Sequence, residues 1–267
     1  MNDTKAAAAA IAFDNVSKSF DGGRVRAVDR VSLGVAKGEF LCIVGGSGSG
    51  KTTLLRLTNR LIEADSGTIA IDGDNIAAGD PIALRRRIGY VFQSAGLFPH
   101  MSVAENVGIT PRLTGAADKA IAARVDELLT LVRLDSAKYR DRFPHELSGG
   151  ERQRVGVARA LAAEPKIVLL DEPFGALDPL TRDGLGEDFR ALHDKLGLTT
   201  IMITHDMTEA MLLADRIAVM RSGALIATGT ASELATSNEP YVRELMSTPR
   251  RQTAKLNALM AEAGARK

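Results

Sequence analysis

The sequence predicts an α/β fold with a parallel sheet and an inserted lobe of helices. Short apolar runs at residues 40–44 and 167–170 are bounded by turn residues, and a third run at 199–204 ends at His205. Runs of this length and composition are typical of parallel strands buried on both faces. Helical patterns follow the strands, at residues 51–61, 119–132 and 150–163. A strand-then-helix alternation indicates a parallel sheet.

The remaining patterns divide the chain into a core, a lobe and a tail. Residues 98–163 contain no strand pattern, so we expect a helical subdomain there, inserted between core segments 11–97 and 164–235. Ser222-Gly223 is the predicted turn of a closing hairpin. Residues 236–267 are predicted to form a helical tail, because Pro240 suits a first helical turn.

Composition excludes some classes of function. The 34 basic and 33 acidic residues give a net charge of +1, whereas nucleic-acid binding favours a clear basic excess, so no nucleic acid is expected as the main partner. The single cysteine, Cys42, lies in an apolar run and fits a small core residue in a reducing compartment. Neither a membrane-spanning apolar stretch nor a convincing signal peptide is recognisable. We therefore expect a cytoplasmic protein that reaches a membrane only through another chain.

The segment from Gly45 to Thr52 matches the pattern G-x-x-x-x-G-K-[S/T] between a strand and a helix. Glycines allow the backbone to fold so that its amide groups converge on phosphate oxygens. Lys51 can reach the terminal phosphates, and the Thr52 hydroxyl can ligate Mg²⁺. A glycine-rich turn without a ligand is the alternative, and it requires neither side chain. The predicted nucleotide-binding residues here are Gly45, Gly46, Ser47, Gly48, Ser49, Gly50, Lys51, Thr52 and Thr53.

Acidic residues and a histidine follow two other predicted strands. Asp171 ends the run at 167–170 and is the expected Mg²⁺ ligand, while Glu172 is the candidate general base for an attacking water. His205 follows the next strand, where the same sheet edge brings it toward the terminal phosphate. Taken alone, the acids would be read as solvating a loop, and the histidine as structural. The phosphate loop in the same chain favours the functional interpretation.

A second potential anion site lies in Leu147-Ser148-Gly149-Gly150-Glu151. Ser148 is expected to cap a helix, and two glycines leave the amide groups of its first turn open. One nucleotide cannot easily use both sites of one chain. A head-to-tail dimer would solve this, with Ser148 of each copy capping the ATP that Lys51 holds in the other.

These motifs, in this order, resemble the ATP-binding-cassette family over residues 11–234. The resemblance implies a RecA-like P-loop NTPase core carrying an α-helical signature subdomain, with ATP and Mg²⁺ as cofactors. It implies that Gln93 meets Mg²⁺ and water, that His205 is the switch histidine, and that Asp178 lies at the dimer interface. Ser148, Gly149, Gly150 and Glu151 are then the signature residues. Phe20 would stack on adenine, although it replaces the more usual tyrosine and also suits a core position.

Within that family, the chain resembles the motor subunit of a bacterial importer, since no coiled coil or fused membrane domain interrupts it. Residues 59–63, 84–91 and 96–101 resemble the glycine betaine, choline and osmoprotectant branch. The implied partners are transmembrane permease subunits, a second copy or paralogue, and indirectly an extracytoplasmic solute-binding protein. We therefore expect a peripheral position on the inner face of the plasma membrane. Leu97, Phe98 and Met101 are expected either to receive a permease helix or to close the lobe's own core. The alternatives are an exporter motor and a soluble non-transport ATPase.

Overall fold

Two β-sheets form the framework of the protein, which is described here from a computed structural model covering residues 9–175 and 177–265. The strands of this part of the chain are β1 (Ala9–Phe20), β2 (Val25–Ala36), β3 (Phe40–Val44), β4 (Ser66–Ile71), β5 (Asp74–Asn75), β6 (Ile88–Val91), β7 (Ile167–Asp171), β8 (Thr199–Ile203), β9 (Arg216–Arg221) and β10 (Ala224–Gly229). The helices are α1 (Lys51–Thr58), α2 (Pro81–Arg86), α3 (Val103–Leu113), α4 (Asp118–Leu131), α5 (Ser136–Tyr139), α6 (Gly149–Leu161), α7 (Pro179–Leu196), α8 (Met207–Leu213), α9 (Ala231–Ala235) and α10 (Pro240–Ala265).

The six-stranded sheet has the order β10-β9-β3-β8-β7-β6. Its strands pair in parallel, except that β10 runs antiparallel to β9. Ile43 of β3 pairs with Ile203 of β8, and Ile203 also pairs with Asp171 of β7. The carboxyl ends of these three strands therefore lie side by side, and the loops that follow them meet at one edge of the sheet.

Side chains alternate along β3 between two cores, one on each face of this sheet. Phe40, Cys42 and Val44 face a core shared with α3, α4, α6, α7, α8 and α10. Leu41 and Ile43 face a second core, shared with α1 and the antiparallel sheet. Every residue of β3 is buried, and each large apolar side chain removed from water contributes about 1.5–3 kcal/mol. Burial on both faces explains the continuous apolar composition of the strand.

The predicted parallel strands and the closing hairpin are confirmed, but the second sheet was not predicted. Its antiparallel strands lie in the order β2-β1-β4-β5. Several register shifts interrupt the pairing of β1 with β2, so buried and exposed positions do not alternate regularly along β1. The helix predicted at 51–61 ends earlier, at Thr58, because Arg60 takes a left-handed conformation with φ of 53°.

Residues 92–166, which follow β6, contain helices α3 to α6 and no strand, as predicted. Asn106 organises the entry to this lobe, because its buried side-chain amide donates to the backbone oxygens of Phe98, Met101 and Ser102. Its amide oxygen accepts a hydrogen bond from the Phe98 amide. The boundaries at 98 and 163 stay predictions.

The tail is helical from Pro240, the position predicted for its first turn, and the last residues of the predicted segment, 266–267, lie outside the described part of the chain. Val242 and Met246 bury its first two turns in the core beside α8. Within the described residues, no helix is both long and apolar enough to cross a membrane.

Two titratable side chains are buried near the amino-terminal half of the parallel sheet. Cys42 is fully buried, and burial raises the pKa of its thiol well above the usual value. His193 of α7 is also buried, with Nδ1 2.9 Å from the hydroxyl oxygen of Thr200. Burial lowers the pKa of His193, and the neighbouring Arg190 guanidinium lowers it further. The imidazole is therefore held neutral.

Replacing His193 should flatten the dependence of stability on pH. The unfolded chain protonates this side chain more readily than the folded protein, so stability is full above the ordinary histidine pKa of about 6.5 and falls as the pH drops below it. Between pH 7.5 and 5.5, we expect the parental free energy of unfolding to fall by about 1 kcal/mol more than that of His193→Gln. Urea unfolding at several pH values measures this, with the exposed His145→Gln as control. Equal slopes for the parent and His193→Gln would contradict it.

Candidate functional site

The loop from Gly45 to Gly50 joins β3 to α1 and is enclosed from outside by other backbone segments. A Cβ atom on Gly45 would lie 2.2 Å from the Met220 carbonyl oxygen, and one on Gly50 would lie 2.0 Å from that of Ala27. Both glycines have positive φ values, of 153° and 99°. Gly50 is the N-cap of α1 and provides no side-chain cap, so the amide groups of the first helical turn remain available to an anion.

Lys51 lies buried inside this loop. Its ammonium group donates to the carbonyl oxygens of Gly45 at 2.8 Å and Gly46 at 3.0 Å. Burial lowers the pKa of Lys51, while the charges of Glu172 and Asp171 act in the opposite direction. The predicted phosphate ligand is thus held by the carbonyl groups of its own loop. Ser47 and Gly48 are exposed at the tip of the loop, and Ser49 is buried beside Lys51.

Thr52 and Asp171, the predicted metal ligands, lie together. The Thr52 hydroxyl donates to Oδ1 of Asp171 at 3.3 Å, and the hydroxyl of Tyr90 donates to Oδ2 at 3.2 Å. Burial raises the pKa of Asp171, which these hydrogen bonds partly offset. Tyr90 was not identified from the sequence, because its role depends on the pairing of β6 with β7. Thr53, the next residue, is half-buried in α1.

The three predicted catalytic side chains converge on a single oxygen atom. Oε2 of Glu172 accepts a hydrogen bond from Nε2 of Gln93 at 2.9 Å and lies 3.4 Å from Nδ1 of His205. Glu172 has a left-handed backbone, with φ of 46°, and its amide donates to the Ile203 carbonyl oxygen. A left-handed conformation costs a residue with a side chain about 1–2 kcal/mol. Strain of this kind is concentrated at functional sites.

The signature residues form a second cluster around the N-terminus of α6. The Ser148 hydroxyl oxygen accepts from the Glu151 amide at 3.2 Å, and Oε2 of Glu151 accepts from the Ser148 amide at 2.7 Å. Tyr139 donates to the other carboxylate oxygen at 2.6 Å, which lowers the pKa of Glu151. Tyr139 was also missed from the sequence, because it lies on a separate short helix.

Asp178 shares a separate cavity of about 320 Å³ with the signature residues Ser148, Gly149, Gly150 and Glu151. It caps α7, accepting from the Thr181 amide at 3.0 Å. Ala176, two residues before it, lies outside the described part of the chain. The predicted dimer-interface aspartate and the signature thus face one space, distinct from the Lys51 loop.

Phe20 lies at the end of β1 with its side chain 40% exposed. The ammonium group of Lys18 is 5.7 Å from its ring centroid, and Lys18 is paired with Asp65. A core position is therefore wrong for Phe20. Its contact with adenine stays a prediction.

The parallel sheet and the phosphate loop that follows β3 define a P-loop NTPase. The sequence pattern of the family described as ABC transporter matches residues 28–175. The chain belongs to this family.

Individual relatives agree with this assignment. The choline transport ATP-binding protein OpuBA of Bacillus subtilis (strain 168) is 51% identical over 84% of this chain and 58% of its own length. The glycine betaine uptake system ATP-binding protein YehX of Escherichia coli (strain K12) is 46% identical over 85% of this chain and 72% of its own. The chain thus spans less than two thirds of OpuBA. A solved structure, the dimeric post-hydrolysis state of the ATP-binding cassette MJ0796 bound to ADP and Pi, matches with a TM-score of 0.76 at 32% identity, covering 82% of this chain and 98% of that one.

Alanine substitutions at two loop glycines should separate backbone strain from steric enclosure. Gly48 and Gly50 both have positive φ. A Cβ on Gly48 meets no atom of the described residues within 4 Å, whereas one on Gly50 lies 2.0 Å from the Ala27 carbonyl oxygen. We expect Gly48→Ala to lower the free energy of unfolding by about 1 kcal/mol. Gly50→Ala should lower it by about 3 kcal/mol, because the steric overlap adds to the strain. Urea unfolding without nucleotide measures both, and equal losses would refute the enclosure of the loop.

Proposed function

We propose that this chain binds and hydrolyses Mg-ATP as the motor subunit of an ABC importer. The observation that carries the proposal is the convergence, at one edge of the parallel sheet, of the Lys51 loop, the Thr52–Asp171 pair and Glu172 with its two polar neighbours. A cation, hard oxygen donors and a general base are the groups that phosphoryl transfer to water requires.

Binding of ATP would use the amide groups at the exposed tip of the loop and at the N-terminus of α1. Lys51 would then exchange the carbonyl oxygens of Gly45 and Gly46 for phosphate oxygens. Hydroxyl, carboxylate and amide oxygens suit Mg²⁺, so Thr52, Asp171 and Gln93 are the residues that would hold it. When bound, the ion neutralises charge on the phosphate oxygens. Tyr90 would orient Asp171 through the hydrogen bond at its second carboxylate oxygen.

Glu172 would act as the general base. As the water oxygen attacks the γ-phosphorus, the Glu172 carboxylate accepts a proton from the water, and the bond from phosphorus to the ADP oxygen breaks. Gln93 and His205 both contact Oε2 of Glu172, which would leave Oε1 free to accept that proton. They would thereby fix the orientation of the base, since a positioned base needs its rotamer restrained.

A head-to-tail dimer would complete each site. Ser148 and Asp178 border a cavity separate from the Lys51 loop, which supports their use on the nucleotide of a second copy or paralogue. The matched MJ0796 cassette is described as dimeric with ADP and Pi bound. In this arrangement residues 98–163 would act as the signature subdomain, residues 11–97 and 164–235 as the nucleotide-binding core, and residues 236–267 as a helical tail.

The permease would dock in a groove between these two parts, and the protein would then lie at the inner face of the membrane. A cavity of about 520 Å³ is lined by Phe92 and Phe98 near Gln93 and by Leu113 of α3. The exposed apolar side chains of all three suit one face of a short helix. Relatives named for choline and glycine betaine transport support a quaternary-amine solute, delivered to the permease by a solute-binding protein.

The substitution Glu172→Gln should separate binding from hydrolysis. The amide cannot accept the proton of the attacking water, so we expect turnover to fall about 10²–10⁴-fold while Mg-ATP affinity is retained. Phosphate release and equilibrium nucleotide binding measure the two properties. Glu187→Gln, at an exposed position of α7, is the matched control and should hydrolyse ATP at the parental rate. Parental turnover in Glu172→Gln would remove Glu172 as the base.

Solute specificity is tested by uptake of radiolabelled glycine betaine in host cells that lack other betaine importers and express this chain with its cognate permease and solute-binding protein. We expect uptake with the parental chain, and its loss with Glu172→Gln at equal expression. Uptake retained by Glu172→Gln at the parental level would contradict the importer proposal. Absence of uptake with a parental chain that hydrolyses ATP would contradict the proposed solute, and efflux of label from preloaded cells would favour an exporter.

A further inference from the structure

Tyr241, the second residue of α10, touches the phosphate loop from the carboxyl-terminal end of the chain. Its hydroxyl oxygen accepts a hydrogen bond from the Gly46 amide at 3.0 Å. The guanidinium of Arg221, at the end of β9, lies 4.9 Å from the ring centroid. Val242, the next residue, is fully buried and anchors α10 in the core. The hydroxyl is therefore presented to the loop from a fixed support.

This hydrogen bond falls on a peptide group that Lys51 also holds. The carbonyl oxygen of Gly45 and the amide N–H of Gly46 belong to one peptide unit. Lys51 donates to the carbonyl at 2.8 Å, and Tyr241 accepts from the N–H at 3.0 Å. Hydrogen bonds at both ends of one peptide group polarise it and strengthen one another. Without nucleotide, its orientation is thus fixed by one residue of the predicted site and one outside it. When Lys51 turns to phosphate, as proposed above, the hydrogen bond to Tyr241 is the one of the two that remains.

A peptide unit between two glycines needs such a restraint more than a peptide unit between residues with side chains does. Glycine populates both positive and negative φ, so no side chain limits the rotation of this unit. Gly45 is enclosed by the Met220 carbonyl. Among the residues that the structure describes, a Cβ on Gly46 would meet only the Tyr241 oxygen within 4 Å, at 3.5 Å. Without the hydroxyl, the Gly46 end of the unit has room to turn.

We propose that Tyr241 is a positioning residue for ATP binding, which holds the Gly45–Gly46 peptide in the orientation that the nucleotide-bound loop requires. This rests on the proposed function of the loop. The phenol contacts loop backbone, whereas the carboxylate of Glu172, the proposed general base, accepts a hydrogen bond from Gln93 and lies 3.4 Å from His205. Tyr241 therefore influences nucleotide affinity and leaves the chemical step unchanged.

Tyr241→Phe removes the hydroxyl and keeps the ring over Arg221. A loop that must be ordered on binding pays an added entropic cost, and the loss of one neutral hydrogen bond corresponds to about fivefold in affinity. We expect the dissociation constant for Mg-ATP to rise about fivefold and kcat at saturating ATP to stay within about twofold. Without nucleotide, the peptide covering residues 45–50 should take up deuterium faster than in the parent.

The Gly46→Ala variant tests whether Tyr241 acts by restraining the Gly45–Gly46 peptide unit. Its Cβ has room, and the φ of Gly46 lies outside the left-handed region, so alanine restricts the same peptide unit through its own side chain. The affinity loss caused by Tyr241→Phe should therefore be smaller in the Gly46→Ala background. Such non-additivity reports coupling between the hydroxyl and the loop.

Parental affinity and parental deuterium uptake in Tyr241→Phe would overturn the proposal. An equal affinity loss in both backgrounds, accompanied by a lower melting temperature, would overturn it too, because Tyr241 would then only stabilise α10. Failure of the proposed function is recognised separately, as a parental chain that does not bind Mg-ATP. In that case, the deuterium uptake of the loop without nucleotide still decides whether Tyr241 positions it.

Discussion

The register of three parallel strands determines the geometry of the whole site. Because β3, β7 and β8 end side by side, the loops that leave them bring together Lys51, Glu172 and His205, which are far apart in the sequence. Burial of both faces of the sheet fixes this register, since a slip of one residue would exchange the two cores. The geometry of the candidate site therefore follows from core packing, and the residues that set it are apolar.

The phosphate loop depends on support that its own sequence does not contain. Backbone from β2 and β9 encloses Gly50 and Gly45, and side-chain oxygen from α10 reaches Gly46. The buried ammonium of Lys51 is meanwhile solvated by loop carbonyls. A loop rich in glycine gains the ability to approach phosphate closely, at the cost of conformational entropy. Supports drawn from both ends of the chain reduce that cost before any nucleotide arrives.

The sequence predicted the site residues that belong to short local motifs, but not those that reach the site through pairing between distant segments. Lys51 was recognisable from the loop motif, Asp171 from the end of a strand and Ser148 from a helix cap. Each of these features is defined by a few neighbouring residues. Tyr90 and Tyr241 were not, because a phenol facing a carboxylate or a loop is defined only by the fold. The antiparallel sheet was not predicted because its bulges break the period-two pattern that identifies a half-buried strand.

The burial of Cys42 has a practical consequence. It is the only cysteine in the chain, it has no access to solvent, and the same burial that raises its pKa keeps it in the unreactive thiol form. The native sequence therefore presents no reactive thiol to a labelling reagent. A cysteine introduced on any exposed surface would be the sole target of a maleimide dye or spin label, so a labelled position can be followed without altering the core.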